Sequence, residues 1–226
     1  IRALIDGGFA DLHHPEYWDL GFVRHSPWRD EYQQIVTSIS DSLDFFEAIS
    51  GSRVHEVNRA PFYASHEALH LHYEQAQTRF IERQGRWYNL STHLPWIGMR
   101  TADLDGAHVE FCRGISNPVG VKVGPAMDAE WVQGLCEMLN PDREPGRLVL
   151  IHRMGARAVE AKLPPLVEAV RSTGIPVLWV CDPMHGNTES TNSGVKTRRF
   201  ENIVTELDAS FRIHRDFGTH LGGVHF

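Results

Sequence analysis

The spacing of hydrophobic residues predicts both helices and strands along the chain. Over residues 31–49, apolar side chains recur every three or four positions, which is typical of an amphipathic helix. Residues 66–80 have a similar pattern and are predicted to form a second helix. Further along, short apolar runs bounded by Gly or Pro indicate strands. These runs recur about every 30 residues, over 118–125, 147–153 and 176–183, with helical patterns over 128–139 and 164–172 between them.

The predicted strands are apolar throughout and do not alternate between apolar and polar residues. Strands of this kind, linked by helices, are typical of βαβ units in a parallel sheet that is buried on both faces. A final run at 222–226 predicts the beginning of another strand. The pattern therefore predicts an α/β fold, and we expect the chain to be part of a domain rather than a whole one.

Composition supports a globular protein and excludes several classes of function. The 226 residues are 42% hydrophobic and 23% charged, and the net charge of −7 argues against nucleic-acid binding, which needs a basic face. Three widely spaced cysteines form no Cys-x-x-Cys pair, so a reducing compartment is expected. Because there is no run of 18 apolar residues and no signal-peptide pattern at the start, we expect neither a membrane nor a secreted protein.

Basic residues follow several of the apolar segments. Lys122 and Arg153 lie at the ends of two predicted strands, and Arg100 follows another apolar segment. Because the carboxyl ends of parallel strands meet at one edge of the sheet, these three cations are expected to point into one cleft. Arg binds carboxylate or phosphate as a two-point fork and Lys acts as a point charge, so the cleft suits a ligand with several anionic groups. Any one of them alone could equally be a solvated surface charge.

Three further residues have both a functional and an ordinary interpretation. His185, after the strand at 176–183, is either a metal ligand or general base, or a hydrogen-bonded loop histidine. Glu67 is either a functional carboxylate or an acidic residue in the first turn of a helix. Lys196 either binds a second phosphate or belongs to a solvated basic patch. No His-x-His or His-Glu-x-x-His spacing occurs, so sequence spacing alone specifies no metal site.

Several motifs make the chain similar to the class II (plant-type) 3-deoxy-D-arabino-heptulosonate 7-phosphate (DAHP) synthases. The most specific are Asn-Pro-Val-Gly-Val-Lys-Val-Gly-Pro at 117–125 and Cys-Asp-Pro-Met-His-Gly-Asn-Thr at 181–188. Shorter matching segments lie at 7–16, 65–69, 105–108, 145–148 and 153–155. The resemblance implies a TIM (β/α)8 barrel, of which residues 1–226 would form the central and C-proximal part as a single, partial domain.

The resemblance also implies an enzyme activity. Family members condense phosphoenolpyruvate with D-erythrose 4-phosphate and water to give DAHP and phosphate, the first step of the shikimate pathway towards chorismate and the aromatic amino acids. They use a divalent metal such as Mn²⁺ or Co²⁺. The expected partners are these two small molecules rather than nucleic acid or membrane, within a homo-oligomer in the cytoplasm, or in the plastid of a plant.

The resemblance assigns roles to the candidate residues. Arg100, Lys122 and Arg153 would bind the phosphate and carboxylate of phosphoenolpyruvate, which agrees with the cationic cleft inferred above. Glu67 matches an active-site glutamate near the same substrate, and His185 matches the family's metal-binding histidine. Lys122, Glu67 and His185 are therefore the expected catalytic residues.

The sequence departs from the family pattern in two respects. Met99, a predicted phosphoenolpyruvate contact, stands where the family has Glu. Of the four metal ligands only His185 is present, since the resemblance places the cysteine ligand before Ile1, a glutamate directly after Phe226 and an aspartate further on. Met99 and the missing metal ligands keep open a catalytically impaired paralogue or fragment that binds phosphoenolpyruvate or a partner subunit. A metal-dependent hydrolase with His185 as ligand is a third hypothesis.

For the second substrate, Lys196 is the expected contact to erythrose 4-phosphate.

Overall fold

The computed structural model of the chain describes residues 21, 24–25, 27–51 and 63–226. They belong to two compact units, Ile1–Phe62 and Tyr63–Phe226, which we describe separately. The motif at 7–16 lies outside the described residues. The single domain of residues 1–226 stays a prediction.

In the first unit, helix α1 (Arg29–Ser50) confirms the helix predicted from the hydrophobic spacing. Two acidic residues, Asp30 and Glu31, lie in its first turn, where they interact favourably with the helix dipole. The helix ends at Gly51, which adopts the left-handed conformation with φ of 67° and donates its N–H to the Glu47 carbonyl.

The second unit alternates strands and helices. In chain order its elements are β1 (Ser65–Glu67), α2 (Leu71–Gln77), β2 (Thr78–Ile81), β3 (Arg86–Asn89), β4 (Leu94–Ile97), α3 (Ala107–Arg113), β5 (Val119–Val123), α4 (Ala129–Leu139), β6 (Leu148–His152), α5 (Val159–Thr173), β7 (Leu178–Cys181), β8 (Thr188–Ser190), β9 (Lys196–Arg198), α6 (Phe200–Asp216) and β10 (Leu221–Val224). The strands predicted at 118–125, 147–153 and 176–183 and the helix at 128–139 are confirmed.

Six of these strands form one parallel sheet in the described part of the chain. Its order is β1-β4-β5-β6-β7-β10, so each new strand is added at the same edge. A doubly wound sheet would reverse direction partway, whereas a (β/α)8 barrel adds strands in one direction. The fold is therefore α/β and is consistent with part of a TIM barrel, as expected. The pairs β2–β3 and β8–β9 form separate antiparallel ribbons.

The sheet has two chemically different faces. Val121, Leu150 and Trp179 are aligned on neighbouring strands and are buried in the apolar core that the sheet forms with the helices. Because side chains alternate along a strand, Lys122 and its sheet neighbour Ile151 point to the opposite face, the inside of the barrel. The pleat therefore directs a charged side chain away from the hydrophobic core.

Two predicted helices need correction. The helix predicted at 66–80 is confirmed only over Leu71–Gln77 (α2), because the segment also contains the end of β1 and most of β2. The local periodicity carries no information on the parallel pairing of β1 with β4, a long-range contact. Helix α5 begins at Val159, before the predicted 164–172. Pro164 and Pro165 therefore lie inside the helix and not in its first turn, where proline is usually found.

Two structural features concern the membrane and redox environment expected from the sequence. None of the described helices is long and apolar enough to cross a membrane. The three cysteines, Cys112, Cys136 and Cys181, are buried free thiols.

Candidate active site

A cavity of about 320 Å³ lies at the carboxyl ends of the parallel strands. Its lining residues are Glu67, Trp96, Gly98, Met99, Arg100, Lys122, Arg153, Asp182 and His185. The structure thus brings six of the seven predicted site residues to one place. The seventh, Lys196, is exposed on β9 and does not line the cavity.

Lys122 is a buried cation. It is the second-last residue of β5, and only 5% of the residue is exposed. The ammonium forms an ion pair with Asp182, contacts Nδ1 of His225 at 2.9 Å and lies 5.1 Å from the ring centroid of Trp96. Burial lowers the pKa of Lys122 below its ordinary value, although the Asp182 carboxylate opposes this shift. With two of its three N–H donors directed at protein partners, Lys122 keeps one donor for a ligand.

Asp182, the residue after β7, organises this side of the cavity. It is fully buried and accepts hydrogen bonds from Lys122, from the backbone N–H groups of Met184 and His185, each at 3.0 Å, and from the His185 ring. Burial alone would raise the pKa of Asp182, but the hydrogen bonds from Lys122 and His185 and the charge of Lys122 hold this pKa below its ordinary value. Asp182 is therefore an ionised carboxylate that fixes the positions of two other site residues.

The contact with Asp182 determines which nitrogen of His185 is available. Nδ1 of His185 lies 2.8 Å from Oδ2 of Asp182, and because an ionised carboxylate only accepts, Nδ1 carries the proton. In the neutral ring, Nε2 then has the free lone pair, on a side chain that is 49% exposed. A histidine whose second nitrogen donates to a carboxylate is typical of metal sites, so His185 fits its expected role as a ligand.

Two glycines allow the other side chains to approach the cavity. A Cβ at Gly98 would overlap the carboxylate of Glu67, and a Cβ at Gly124 would overlap the thioether of Met99. A larger residue at either position would force the Glu67 or the Met99 side chain to take another position. Arg100 follows Met99 in a short 3₁₀ helix, Met99–Thr101, at the cavity entrance.

Arg153 lies directly after β6, where its backbone N–H donates to the carbonyl of Val123. Its guanidinium donates to the carbonyl oxygen of His185. Its Nε is buried and has no hydrogen-bond partner among the residues the structure describes. Arg153 therefore has an unpaired guanidinium donor and also lines the cavity.

Two residues that contact Lys122, Asp182 and His225, are not among the predicted site residues. Asp182 stands in the motif at 181–188, but its partner Lys122 is distant in sequence. His225 follows β10, and its N–H donates to the Cys181 carbonyl, which places the ring 5.5 Å from that of Trp96. Burial, followed by the charge of Lys122, lowers the pKa of His225, so the neutral ring can accept a hydrogen bond from the ammonium. No local sequence signal reveals these contacts.

A second cluster of polar residues lies on the helix-facing side of the sheet. His152, Cys181 and Glu206 are buried, and their potential ligand atoms all lie within 4.8 Å of one another. In the part of the chain that the structure describes, this is the one group of at least three His, Cys, Asp or Glu side chains close enough to hold a metal. It is a possible site for a divalent metal. The cavity itself gathers no such group, so its described residues supply His185 without completing a ligand set.

A larger cavity of about 440 Å³ lies between the segments that follow β6 and β7, and its lining residues include Arg157, Glu189 and Arg199. Arg199 is paired with Glu189, and all three side chains are exposed or partly exposed. The smaller cavity contains the buried charges Lys122 and Asp182, so we assign the candidate active site there.

Replacing Asp182 by Asn tests the buried ion pair. Asp182→Asn leaves the Lys122 ammonium buried without a counter-charge, and we expect it to destabilise the full-length protein by about 3–5 kcal/mol in urea unfolding. Glu168→Gln is the control, because the Glu168–Arg171 pair is exposed and its loss should leave the unfolding midpoint unchanged. Equal urea-unfolding midpoints for the two variants would contradict a stabilising ion pair between Lys122 and Asp182.

The effect of Asp182→Asn should also depend on pH. Because the pKa of Asp182 is lowered on folding, its stabilising contribution is present above the unfolded-state pKa of about 3.9 and is lost as the pH falls through the folded-state value. The difference in stability between the wild type and Asp182→Asn is therefore expected to shrink in acid.

Comparison with known proteins gives a family and two named relatives for the chain. The chain is 46% identical over 225 residues to a protein of Streptomyces coelicolor named phospho-2-dehydro-3-deoxyheptonate aldolase, and 45% identical over 230 residues to phospho-2-dehydro-3-deoxyheptonate aldolase AroG of Mycolicibacterium smegmatis. Both alignments cover 100% of this chain but only 50% and 49% of the relatives, so the chain spans about half their length. The sequence profile of the Class-II DAHP synthetase family matches residues 1–226, and the chain belongs to this family.

Proposed function

We propose that the full-length protein is a DAHP synthase, which condenses phosphoenolpyruvate with D-erythrose 4-phosphate and water to give DAHP and phosphate. The observation that carries this proposal is the convergence of Arg100, Lys122 and Arg153 on one cavity at the strand ends. The family relationship, and the printed names of both relatives, support the same reaction.

The charges around the cavity suit phosphoenolpyruvate. Three cations face two carboxylates, Glu67 and Asp182, so one positive charge remains in excess before any metal binds. Asp182 is already neutralised by Lys122, which leaves the two arginines to bind the substrate's carboxylate and phosphate. Water exclusion from this partly closed cavity strengthens such contacts.

The reaction forms a bond between C3 of phosphoenolpyruvate and the aldehyde carbon of erythrose 4-phosphate. The aldehyde oxygen takes up a proton, water adds at C2 of the former enol phosphate, and inorganic phosphate leaves. In this scheme Arg100, Lys122 and Arg153 hold the enol phosphate in position for attack, which lowers the entropic part of the barrier. Glu67, across the cavity, and the Lys122 ammonium are the groups placed to bind or transfer protons near C2.

We assign the metal of the full-length enzyme to Nε2 of His185, with Mn²⁺ or Co²⁺ as the ion. When bound, such an ion polarises the aldehyde as a Lewis acid. Asp182 contributes by holding the His185 ring in the tautomer that can bind it. Lys196 is proposed as a contact to the phosphate of erythrose 4-phosphate from the β8–β9 ribbon. We also propose a homo-oligomer that acts in the cytoplasm, or in the plastid if the source is a plant.

The decisive experiment is an assay of the full-length protein for phosphoenolpyruvate consumption. Turnover is expected to require erythrose 4-phosphate together with Mn²⁺ or Co²⁺. No turnover with either metal would overturn the proposal. Activity that persists when either substrate is left out would favour a metal-dependent hydrolase.

Arg153→Ala tests the substrate-binding role of one cation. The loss of a charge-assisted hydrogen bond to phosphoenolpyruvate should cost about 1.5–3 kcal/mol, which corresponds to a rise in its KM or Kd of roughly 10- to 150-fold. Arg157→Ala, in the loop after Arg153 but outside the cavity lining, is the matched control and should leave the affinity unchanged. An unchanged affinity in Arg153→Ala would remove this residue from the site.

Met99 favours a second candidate function, a catalytically impaired protein that binds phosphoenolpyruvate or a partner subunit without turnover. Met99 lines the cavity next to Arg100 and provides an apolar thioether where the resemblance implies a carboxylate. A glutamate there could pair with Arg100 and orient it towards the substrate.

Met99→Glu distinguishes a weakened enzyme from a binding protein. If the full-length protein is a weakened enzyme, the variant should raise kcat/KM for phosphoenolpyruvate by at least about tenfold, measured by initial rates. If parent and variant both bind phosphoenolpyruvate in calorimetry but neither turns it over, the binding function is the correct description.

A further inference from the structure

Three buried side chains, His152, Cys181 and Glu206, have no role in the proposed reaction. His152 and Cys181 are paired neighbours at the ends of β6 and β7, and Glu206 reaches them from α6. Because side chains alternate along β5 and β6, the sheet neighbours Val123 and His152 point to the helix-facing side while Lys122 points to the cavity. The cluster is therefore separated from the candidate active site by the backbone of the sheet.

His152 is the unusual member of this cluster. It is fully buried, and neither of its ring nitrogens has a hydrogen-bond partner in the described part of the chain. Burial lowers the pKa of His152 to about 3, so the ring is neutral and has a lone pair to donate. Buried polar atoms in native proteins nearly always have a partner, so this ring has free capacity to bind a ligand from outside the described residues.

Glu206 also has unused capacity to bind. Its Oε1 accepts the backbone N–H groups of Met154 at 2.7 Å and Gly155 at 2.9 Å, and its Oε2 accepts Nδ2 of Asn187 at 2.7 Å. Two carboxylate oxygens together offer about four acceptor positions, so one position on Oε2 remains. The carboxylate can therefore bind a cation without losing a hydrogen bond.

We propose that His152, Cys181 and Glu206 bind a zinc-class divalent metal at a structural site on the helix-facing side of the sheet. An imidazole, a thiolate and a carboxylate form the mixed donor set that Zn²⁺ prefers, whereas Mg²⁺ and Ca²⁺ prefer oxygen ligands. On binding, the Cys181 thiol releases its proton to solvent and the sulfur becomes a thiolate ligand. No electron transfer is involved.

His214 is the proposed fourth ligand of the structural zinc site, although it lies outside the group whose ligand atoms are within 4.8 Å of one another, so its ring would have to move towards the metal on binding. Its ring lies 5.8 Å from that of His152, and its Nε2 is buried without a hydrogen-bond partner among the described residues. The Thr219 hydroxyl donates to the His214 carbonyl and so accepts from Nδ1–H of the ring at 2.8 Å. This contact leaves the lone pair on Nε2, as in metal-binding histidines.

A metal at this position would connect three elements. Its ligands come from the ends of β6 and β7 and from one face of α6, and Glu206 also holds the N–H groups that follow Arg153. The bound ion would thus stabilise the loops that carry the candidate active site without taking part in the chemistry. The proposal does not depend on the assigned enzyme activity.

The test is metal analysis of the full-length protein in the His185→Ala background, which weakens metal binding at the candidate active site. After dialysis against a weak chelator, we expect about one equivalent of zinc per chain by mass spectrometry. Cobalt substitution in the same background should give a thiolate-to-cobalt charge-transfer absorption. Both signals should be lost when Cys181→Ser or His152→Ala is added, and retained with Cys136→Ser, a buried cysteine on α4 outside the cluster.

The outcomes are distinct even if a variant folds poorly. The measurement on His185→Ala alone requires no change in the cluster, and the absence of retained zinc there would overturn the proposal. Zinc retained in folded Cys181→Ser and His152→Ala, with circular dichroism equal to that of Cys136→Ser, would also overturn it. Zinc retention in His185→Ala, together with no turnover by the wild-type full-length protein, would support this site while contradicting the proposed function.

Discussion

The buried carboxylate of Asp182 is the group on which the candidate active site depends. It receives the Lys122 ammonium, the His185 ring and two backbone N–H groups, so a single side chain fixes a cation, a possible metal ligand and the start of the loop that carries them. An ionised carboxylate in this position is stable only because these donors replace the water lost on burial. Removing any one of these donors leaves the buried carboxylate with less compensation for the lost water.

A second carboxylate, Glu206, binds the loops after β6 and β7 from the helix-facing side of the sheet. It binds the N–H groups of Met154 and Gly155 and the side chain of Asn187, whose own Oδ1 accepts the N–H of Ala156 at 2.9 Å. The loop after β6 and the loop after β7 are thereby joined. The two loops lie close together at Gly155, where φ is 84° and a Cβ would lie 2.7 Å from the Gly186 carbonyl oxygen.

Each face of the parallel sheet has its own buried carboxylate, Asp182 on the barrel side and Glu206 on the helix-facing side. Asp182 and Cys181 are consecutive residues, yet one contacts Lys122 in the barrel interior and the other belongs to the cluster next to α6. The alternation of side chains along the extended backbone produces this division. The positions of the cavity residues on one face therefore depend on the hydrogen bonds that Glu206 makes on the other.

The sequence by itself determined the parallel α/β class and the cationic residues of the site, because buried strands are apolar throughout and Arg100, Lys122 and Arg153 stand at or just after strand ends. It could not determine β1 or the segment at 66–80, where a three-residue strand is formed by its pairing with β4. Nor could it reveal that His225 contacts Lys122 or that Glu206 meets His152, since these partners are 103 and 54 positions apart in the chain. Local periodicity reports which face of an element is buried, whereas only the tertiary structure decides which polar groups share the buried space and must satisfy one another.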